Sequence, residues 1–114
     1  MKFLCIFKSA KPEGVPPTEH EMATMGALIQ EMTAAGVLLA TEGCQPSARG
    51  ARVRRTNGTQ TVTDGPFSES KEIIGGFAIP NVASQDEAVA WTQRFLDVAG
   101  DGECEIRLVS DAPG

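Results

Sequence analysis

The chain contains four short segments rich in apolar residues, each of the length expected for a β-strand, and in the last of them apolar residues alternate with Glu105 and Arg107. The first, residues 3–7, is continuously apolar and rich in aromatic side chains, which is typical of a strand buried on both faces. The other runs are residues 37–40, 73–79 and 104–109. Pro80 ends the third run, because proline has no N–H to donate to a sheet.

Between the first two runs the apolar period becomes that of a helix. Thr18-Glu19-His20-Glu21 predicts a capping box, in which the Thr18 hydroxyl accepts from the Glu21 amide and the Glu21 carboxylate reaches back. Gly36 predicts a left-handed residue just past the helix end. The apolar stripe of this helix comprises Met22, Met25, Leu28, Ile29 and Met32.

A second helix is predicted after the third strand. Ser84-Gln85-Asp86-Glu87 again has the spacing of a capping box. Ala88, Trp91 and Phe95 follow at helical spacing and predict its buried stripe.

A β-hairpin is predicted between the second and third strands. Asn57-Gly58 is the preferred pair for a two-residue turn, which sets Thr56 opposite Thr59. Continuing the ladder sets Arg55 against Gln60, Arg54 against Thr61, and Val53 against Val62. The hairpin leads directly into Asp64-Gly65-Pro66-Phe67, and we expect it to lie outside the main core.

Without the hairpin, the predicted order is β-α-β-β-α-β, which defines a ferredoxin-like α+β fold with both helices on one face of the sheet. In the first strand Phe3, Cys5 and Phe7 point to one face, and Leu4 and Ile6 to the other. Both faces are therefore apolar, although two helices cover only one. Because monomers rarely expose so large an apolar patch, we expect a homodimer in which a second sheet covers the other face.

Composition limits the class of protein. With 114 residues, of which 41% are hydrophobic and 22% charged, the chain predicts a single globular domain over residues 1–114. The net charge of −5 argues against a nucleic-acid partner, which would favour a basic surface.

The three cysteines, Cys5, Cys44 and Cys104, lie far apart in the sequence. Their spacing fits neither a disulfide framework nor a zinc site, so we expect reduced thiols and a cytoplasmic protein. The N-terminal apolar run is too short for a signal peptide or a membrane span, so no membrane association is expected. The sequence has no glycine-rich phosphate loop, nucleophile elbow or metal-ligand cluster, so no cofactor is expected.

Residues 64–79, DGPFSESKEIIGGFAI, form the most distinctive stretch of the chain. A Ser-Gln-Asp-Glu-Ala helix start with Trp91 follows, and then a strand with the sequence ECEIRLV. In these blocks, and over nearly its whole length, the chain resembles the YCII-related family. Within that family it is most similar to the branch named after the Asp-Gly-Pro-Phe (DGPF) motif.

The resemblance implies a dimeric α+β barrel, in which two ferredoxin-like sheets pack face to face. Relatives on this fold resemble lyases and dehalogenating enzymes that act on ring-derived acids. In the shorter YCII branch a first-helix His and an Asp at the end of strand one form the implied acid–base couple. That couple has no counterpart here, because strand one ends Phe7-Lys8-Ser9-Ala10 and His20 stands at the second position of the helix.

Two residues are candidates for catalysis. His20 is the only histidine and hence the natural general base, and a helix N-terminus would keep its ring neutral. The alternative is an exposed residue at a helix start. Asp64 is either a ligand-facing acid or a turn-forming residue whose carboxylate caps nearby amides.

Four residues are candidates for ligand binding, each with a structural alternative. Phe67 either stacks on a ligand or plugs the end of the core. Lys71 lies between carboxylates and either orients a small anion, together with Glu69, or belongs to a solvated strand edge. Arg107 either binds a carboxylate in a dimer cleft or pairs with Glu105.

Two hypotheses of function follow. The first is a homodimer that binds a small organic acid beside Asp64 and catalyses a cofactor-free proton transfer, as in an elimination or isomerisation. The second is a non-catalytic interaction module, because members of the DGPF branch often resemble accessory domains of alternative sigma factors. A closed cleft that contains His20 or Arg107 favours the first. An open apolar groove with these residues in bulk solvent favours the second.

Overall fold

The structure is a computed structural model that describes residues 1–68 and 73–110. The helices are Glu19–Ala34 (α1) and Gln85–Ala99 (α2). The strands are Phe3–Ser9 (β1), Leu38–Gly43 (β2), Ala51–Thr56 (β3), Thr59–Asp64 (β4), Gly76–Pro80 (β5) and Gly102–Leu108 (β6).

The main sheet has four antiparallel strands in the order β2-β5-β1-β6. This order confirms the predicted ferredoxin-like α+β fold, with β1 and β5 as the two central strands. Cys5 lies between Ala78 of β5 and Ile106 of β6. β1 is therefore paired on both of its edges.

One face of the sheet packs against the helices. The Cys5 Sγ atom lies 3.9 Å from the Thr92 hydroxyl of α2. The Phe7 and Phe95 rings meet edge to face, with their centroids 5.1 Å apart. Since side chains alternate along a strand, Ile6 points to the opposite face.

The opposite face, termed here the outer face, is apolar at its centre. Ile6 lies opposite Phe77, and Ile79 shares the face of Phe77. Leu4 lies on the same side of β1, and its neighbour on β6 is Arg107. These apolar side chains are only half-buried, as expected for a face without a helix over it.

The buried core lies at one end of the sheet. Phe3, Val82 and Ala88 form its centre, and Trp91 and Ile106 pack against them. The N-terminal ammonium donates to the Val82 carbonyl at 2.6 Å, which closes this end of the molecule. Because the core is concentrated here, the opposite end of the sheet, near Phe7, is less densely filled.

Both predicted ends of α1 are confirmed. The Thr18 hydroxyl accepts from the Glu21 amide at 3.1 Å, and the Glu21 carboxylate accepts from the Thr18 amide at 3.2 Å. Gly36 has a φ of 72°, and the Val37 amide donates to the Met32 carbonyl, as in a Schellman motif.

The cap of α2 differs in part from the predicted box. The Ser84 hydroxyl accepts from the Glu87 amide, as expected. The Glu87 carboxylate, however, accepts from the Ala83 amide, one residue before the cap. The carboxylate therefore pairs with a backbone donor just outside the helix.

The β3–β4 hairpin has the predicted register, including Val53 opposite Val62 and Thr56 opposite Thr59. Asn57 and Gly58 have positive φ angles of 51° and 81°, as the turn requires. Val53 and Val62 are 65% and 67% exposed, so the hairpin buries no apolar side chains of its own ladder. This agrees with its predicted place outside the main core.

All four strands of the main sheet differ from prediction at one or both ends. β1 continues to Ser9, and β6 covers Gly102–Leu108 rather than residues 104–109. β2 continues to Gly43, and β5 begins at Gly76 rather than at residue 73. Gly76 pairs with Gly43, and a Cβ atom on Gly76 would lie 2.8 Å from the Glu42 carbonyl oxygen. The two glycines thus pair closely at the end of the ladder, and Ile73 and Ile74 lie outside it.

Candidate functional site

A cavity of about 1050 Å³ lies between the helix-covered face of the sheet and α1. Its floor is partly bare backbone, because Gly43, Gly75 and Gly76 stand where other strands carry side chains. Its walls are mainly apolar and include Phe7, Met22, Met25, Ile29, Trp91 and Phe95.

The apolar stripe of α1 consists of a buried part and a more accessible part. Leu28 and Met32 are buried, whereas Met25 is half-buried and Met22 is exposed. All four line the cavity. Unbranched methionine side chains adapt readily to irregular space, so this wall suits contact with ligands of varied shape.

All three cysteines line the same cavity, although they are far apart in the sequence. Cys5 and Cys104 project from neighbouring strands, because Cys5 pairs with Ile106 and Cys104 pairs with Phe7. Burial raises the pKa of the Cys5 thiol, and it raises that of Cys104 to about 11 with a further contribution from Cys5. Both thiols are therefore protonated at neutral pH. Cys44 is exposed.

An ion pair stands beside the mouth of the cavity. Lys11 Nζ lies 2.9 Å from Glu21 Oε2, and both residues line the cavity. The hydrogen bond from Lys11 is the main reason why the pKa of Glu21 falls to about 2, and the bonds from Thr18 lower it further. Glu21 is consequently ionised at any physiological pH.

The loop between β1 and α1 forms one side of the mouth. Residues 11–17 of this loop, KPEGVPP, all line the cavity. Within it, Glu13 accepts two hydrogen bonds of 2.6 Å from Ser47, one from the backbone N–H and one from the hydroxyl. The loop is thereby joined to the base of the hairpin.

Residues 64–67, termed here the DGPF corner, contact Ser47. The Phe67 amide donates to the Ser47 hydroxyl at 3.0 Å, and the Gly65 amide donates to the Gly50 carbonyl. The Arg52 guanidinium lies over the Phe67 ring, 4.1 Å from its centroid. Phe67 is half-buried here and does not belong to the buried core, contrary to the expectation that it plugs the core.

The predicted catalytic residues do not line the cavity. His20 is exposed in the first turn of α1. Asp64 is exposed at the end of β4, opposite Ala51. Within the described residues, its carboxylate makes no hydrogen bond, so it caps no amide there.

The predicted ligand-binding residues are also dispersed. Arg107 lies on the outer face, with its Nη1 atom 3.4 Å from Glu105 Oε2, which matches the structural alternative. Neither Arg107 nor Phe67 lines the cavity. Glu69 and Lys71 lie outside the described residues.

The sequence reasoning missed Lys11 and Glu13, which line the cavity, and Ser47, which binds Glu13. The sequence signal nearest to them is the proline- and glycine-rich stretch 11–17, which predicts a loop and no particular chemistry. In residues 1–68 and 73–110, no group of His, Cys, Asp and Glu side chains is arranged to bind a metal ion. Over the same residues, no helix is both long and apolar enough to cross a membrane.

The fold and the site together define a small ferredoxin-like α+β protein with a large cavity under its first helix. Residues 1–112 match the YCII-related domain, and the chain belongs to that family.

Two further similarities accompany the family match. An uncharacterized protein of Rhizobium meliloti (strain 1021) is 35% identical over 90 residues, which cover 78% of this chain and 73% of that protein. The 5-chloro-2-hydroxyhydroquinone dehydrochlorinase of Burkholderia phenoliruptrix AC1100, in complex with 2,5-dihydroxybenzoquinone, has a similar structure with a TM-score of 0.56. That match covers 98% of this chain and 96% of the enzyme at 16% identity, so it describes the fold.

Proposed function

We propose that the protein is a cytoplasmic homodimer of the DGPF branch that binds a small organic molecule in the cavity under α1. The observation that carries this proposal is the cavity itself, whose walls are mainly apolar and whose charged lining residues are Lys11, Glu13, Glu21 and Glu42. Ligand pockets in proteins typically combine an apolar lining with a few polar groups in this way. The binding site therefore differs in place from the site first expected beside Asp64.

The lining favours a ring compound that carries polar substituents. Phe7, Phe95 and Trp91 offer aromatic surfaces, and Phe7 and Phe95 hold each other edge to face. Lys11 can donate to such substituents, and the carboxylates of Glu13, Glu21 and Glu42 can accept from their hydroxyl groups. The structural neighbour was solved with 2,5-dihydroxybenzoquinone, a compound of this chemical class, which makes it a suitable first probe.

Acid–base catalysis is the less supported part of the first hypothesis. A general base acts best when its pKa lies near the working pH. The pKa of Glu21 is about 2, that of Cys104 is about 11, and His20 does not line the cavity. We therefore propose ligand binding as the primary function, with elimination or isomerisation as an activity to be tested on the bound ligand.

The exposure of His20 and Arg107 favours a second candidate function, a ligand-binding regulatory module without catalysis. Such a module would bind its ligand in the same cavity and present another surface to a protein partner, such as an alternative sigma factor. The two functions differ in the fate of the ligand. A regulatory module returns its ligand unchanged, whereas an enzyme converts it.

The homodimer is proposed from the outer face. Leu4, Ile6, Phe77 and Ile79 gather there on adjacent strands and remain half-exposed in one chain. Burying apolar surface stabilises association by roughly 25 cal/mol per Å² before the costs of binding are subtracted. A second copy offers the same apolar face, so packing sheet against sheet covers both.

Calorimetric titration with 2,5-dihydroxybenzoquinone tests the binding proposal. Gly26 borders the cavity, and a Cβ atom there would contact nothing within 4 Å, so Gly26→Leu places a side chain in the open space. Ala23→Leu, on an exposed position of the same helix outside the cavity lining, is the matched control. We expect Gly26→Leu to weaken binding at least about tenfold and Ala23→Leu to leave it unchanged.

Failure of both this probe and benzoate to bind at millimolar concentration would contradict the proposal. Equal binding to the two leucine variants would contradict the location. NMR spectra of a bound probe, recorded over hours with the wild-type protein, distinguish the two candidate functions through the appearance or absence of a product.

A further inference from the structure

The β1–α1 loop is held at both of its ends. Its start is fixed by the Ala10 amide, which donates to the Asp101 carbonyl, and by the Lys11 amide, which donates to the Ser9 hydroxyl. Its end runs into the capping box of α1, where Glu21 binds Lys11. Between these points the loop crosses the side of the cavity, with every residue exposed.

Within the part of the chain that the structure describes, the middle of the loop is attached by hydrogen bonds through Glu13. Both carboxylate oxygens bind Ser47, so the contact is bidentate and charge-assisted. Pro12, Pro16 and Pro17 restrict the backbone on either side, and Gly14 has a φ of +83°. The loop therefore tends to move as a unit, with Gly14 as the position that best absorbs a change of backbone angle.

Ser47 in turn is held by the DGPF corner. Its hydroxyl donates to Glu13 and accepts from the Phe67 amide, which fixes the orientation of the side chain. Its carbonyl accepts from the Gly50 amide, and the Gly50 carbonyl accepts from the Gly65 amide. The DGPF corner thus holds the Ser47 side chain in place, and Glu13 attaches the β1–α1 loop to that side chain.

We infer that residues 11–17 form a lid over the cavity, latched closed by the contact between Glu13 and Ser47 and anchored by the DGPF corner. This inference rests on the proposed function, because it describes access to the same cavity. The latch is exposed to water, so it is weak enough to open repeatedly. The motif has a positioning role in this arrangement, because it orients Ser47 and lines no part of the cavity.

The cysteines provide a test that needs no ligand. In a Cys44→Ser background only Cys5 and Cys104 remain, and both face the cavity. Their rate of reaction with 5,5′-dithiobis(2-nitrobenzoate), measured at fixed pH, reports how often the cavity opens. We expect Glu13→Gln and Ser47→Ala to raise this rate roughly fivefold to tenfold, as loss of a charge-assisted contact should.

Glu19→Gln is the matched control, because Glu19 is an exposed acid at the other end of the same connection and lies outside the cavity lining. It should leave the labelling rate unchanged. Urea denaturation of each variant separates lid opening from global unfolding. A faster rate that merely parallels a lower free energy of unfolding would overturn the latch, as would unchanged labelling of both latch variants.

Stopped-flow binding of 2,5-dihydroxybenzoquinone gives an independent measurement. The latch predicts that Glu13→Gln raises the association and dissociation rates together and changes Kd less than about threefold. Faster thiol labelling in a protein that binds no probe would support the lid and contradict the proposed ligand. Normal probe binding with unchanged rates would contradict the lid and leave the binding function supported.

Discussion

A Cβ atom on Gly65 would lie 1.7 Å from the carbonyl oxygen of Ser47. No side chain is compatible with that distance, so the glycine of the DGPF motif is required by the close approach of two backbone segments. The corner is therefore built around Ser47, and the identity of Gly65 is explained by packing.

Gly65→Ala should accordingly destabilise the protein by at least about 2 kcal/mol, because the corner must separate from Ser47 to accept the methyl group. Gly26→Ala is the control, since its Cβ atom would meet open space and alanine is the better helix former. That variant should gain up to about 1 kcal/mol. Urea denaturation measures both, and a Gly65→Ala protein as stable as wild type would disprove the close contact.

Substitutions of Asp64 and of Phe67 should have very different effects on the stability of the protein. Asp64→Asn should change Tm little, because the carboxylate of Asp64 has no hydrogen bond within the described residues. Phe67→Ala should cost about 1–2 kcal/mol, which is less than for a fully buried ring, since Phe67 is half-buried under Arg52. Thermal melts check both values, and a loss above about 4 kcal/mol would place Phe67 in the core after all.

The lowered pKa of Glu21 predicts that the folded protein becomes less stable at acidic pH. Its pKa in the folded protein, about 2, is lower than the ordinary 4.5, so folding favours the ionised form. This contribution is complete above about pH 4.5 and is lost as the pH falls toward 2. Glu21→Gln should therefore reduce the loss of stability over that interval.

The control for this experiment is Glu19→Gln, which removes the same charge from the same helical turn without touching Lys11 or Thr18. Urea denaturation at several pH values provides the measurement. If the two variants follow the same pH profile, the interaction of Glu21 with Lys11 and Thr18 does not stabilise the fold.

The proposed dimer predicts an asymmetry between the two faces of the sheet. Phe77→Asp places a charge at the centre of the outer face and should dissociate the protein, since an unpaired charge is costly to bury. Leu108→Asp, at an exposed position on the other face, should remain dimeric. Light scattering should give twice the 12.0 kDa chain mass for the wild type and the control. A monomeric wild type at micromolar concentration would refute the dimer.

The sequence predicted the fold where local chemistry determines structure. Asn57 and Gly58 fix a turn whose geometry sets the whole hairpin register. Thr18 and Glu21 define the start of α1 because each supplies what the other's backbone lacks. The start of β5 could not be predicted from the local sequence, because it depends on the contact of Gly76 with another strand.

The site was largely beyond sequence reasoning. Glu13 lies in the β1–α1 loop and Ser47 begins a short 3-10 helix before β3, and no periodicity relates them. Cys5 and Cys104 become neighbours only through the pairing of β1 with β6. His20 attracted attention for its chemistry, yet its position in the first turn of α1 directs it away from the cavity lining.

The exposed hairpin is expected to unfold locally, before the main sheet does. Its ladder from Ala51 to Asp64 carries backbone hydrogen bonds but almost no buried side chains. Such a segment can open as a separate cooperative unit, while the sheet around Phe3 stays intact. Amide protons of β3 and β4 would then exchange with solvent at a lower free energy than those of β1. The chain therefore combines a slow-exchanging sheet with a fast-exchanging arm, and the DGPF corner lies at the boundary between them.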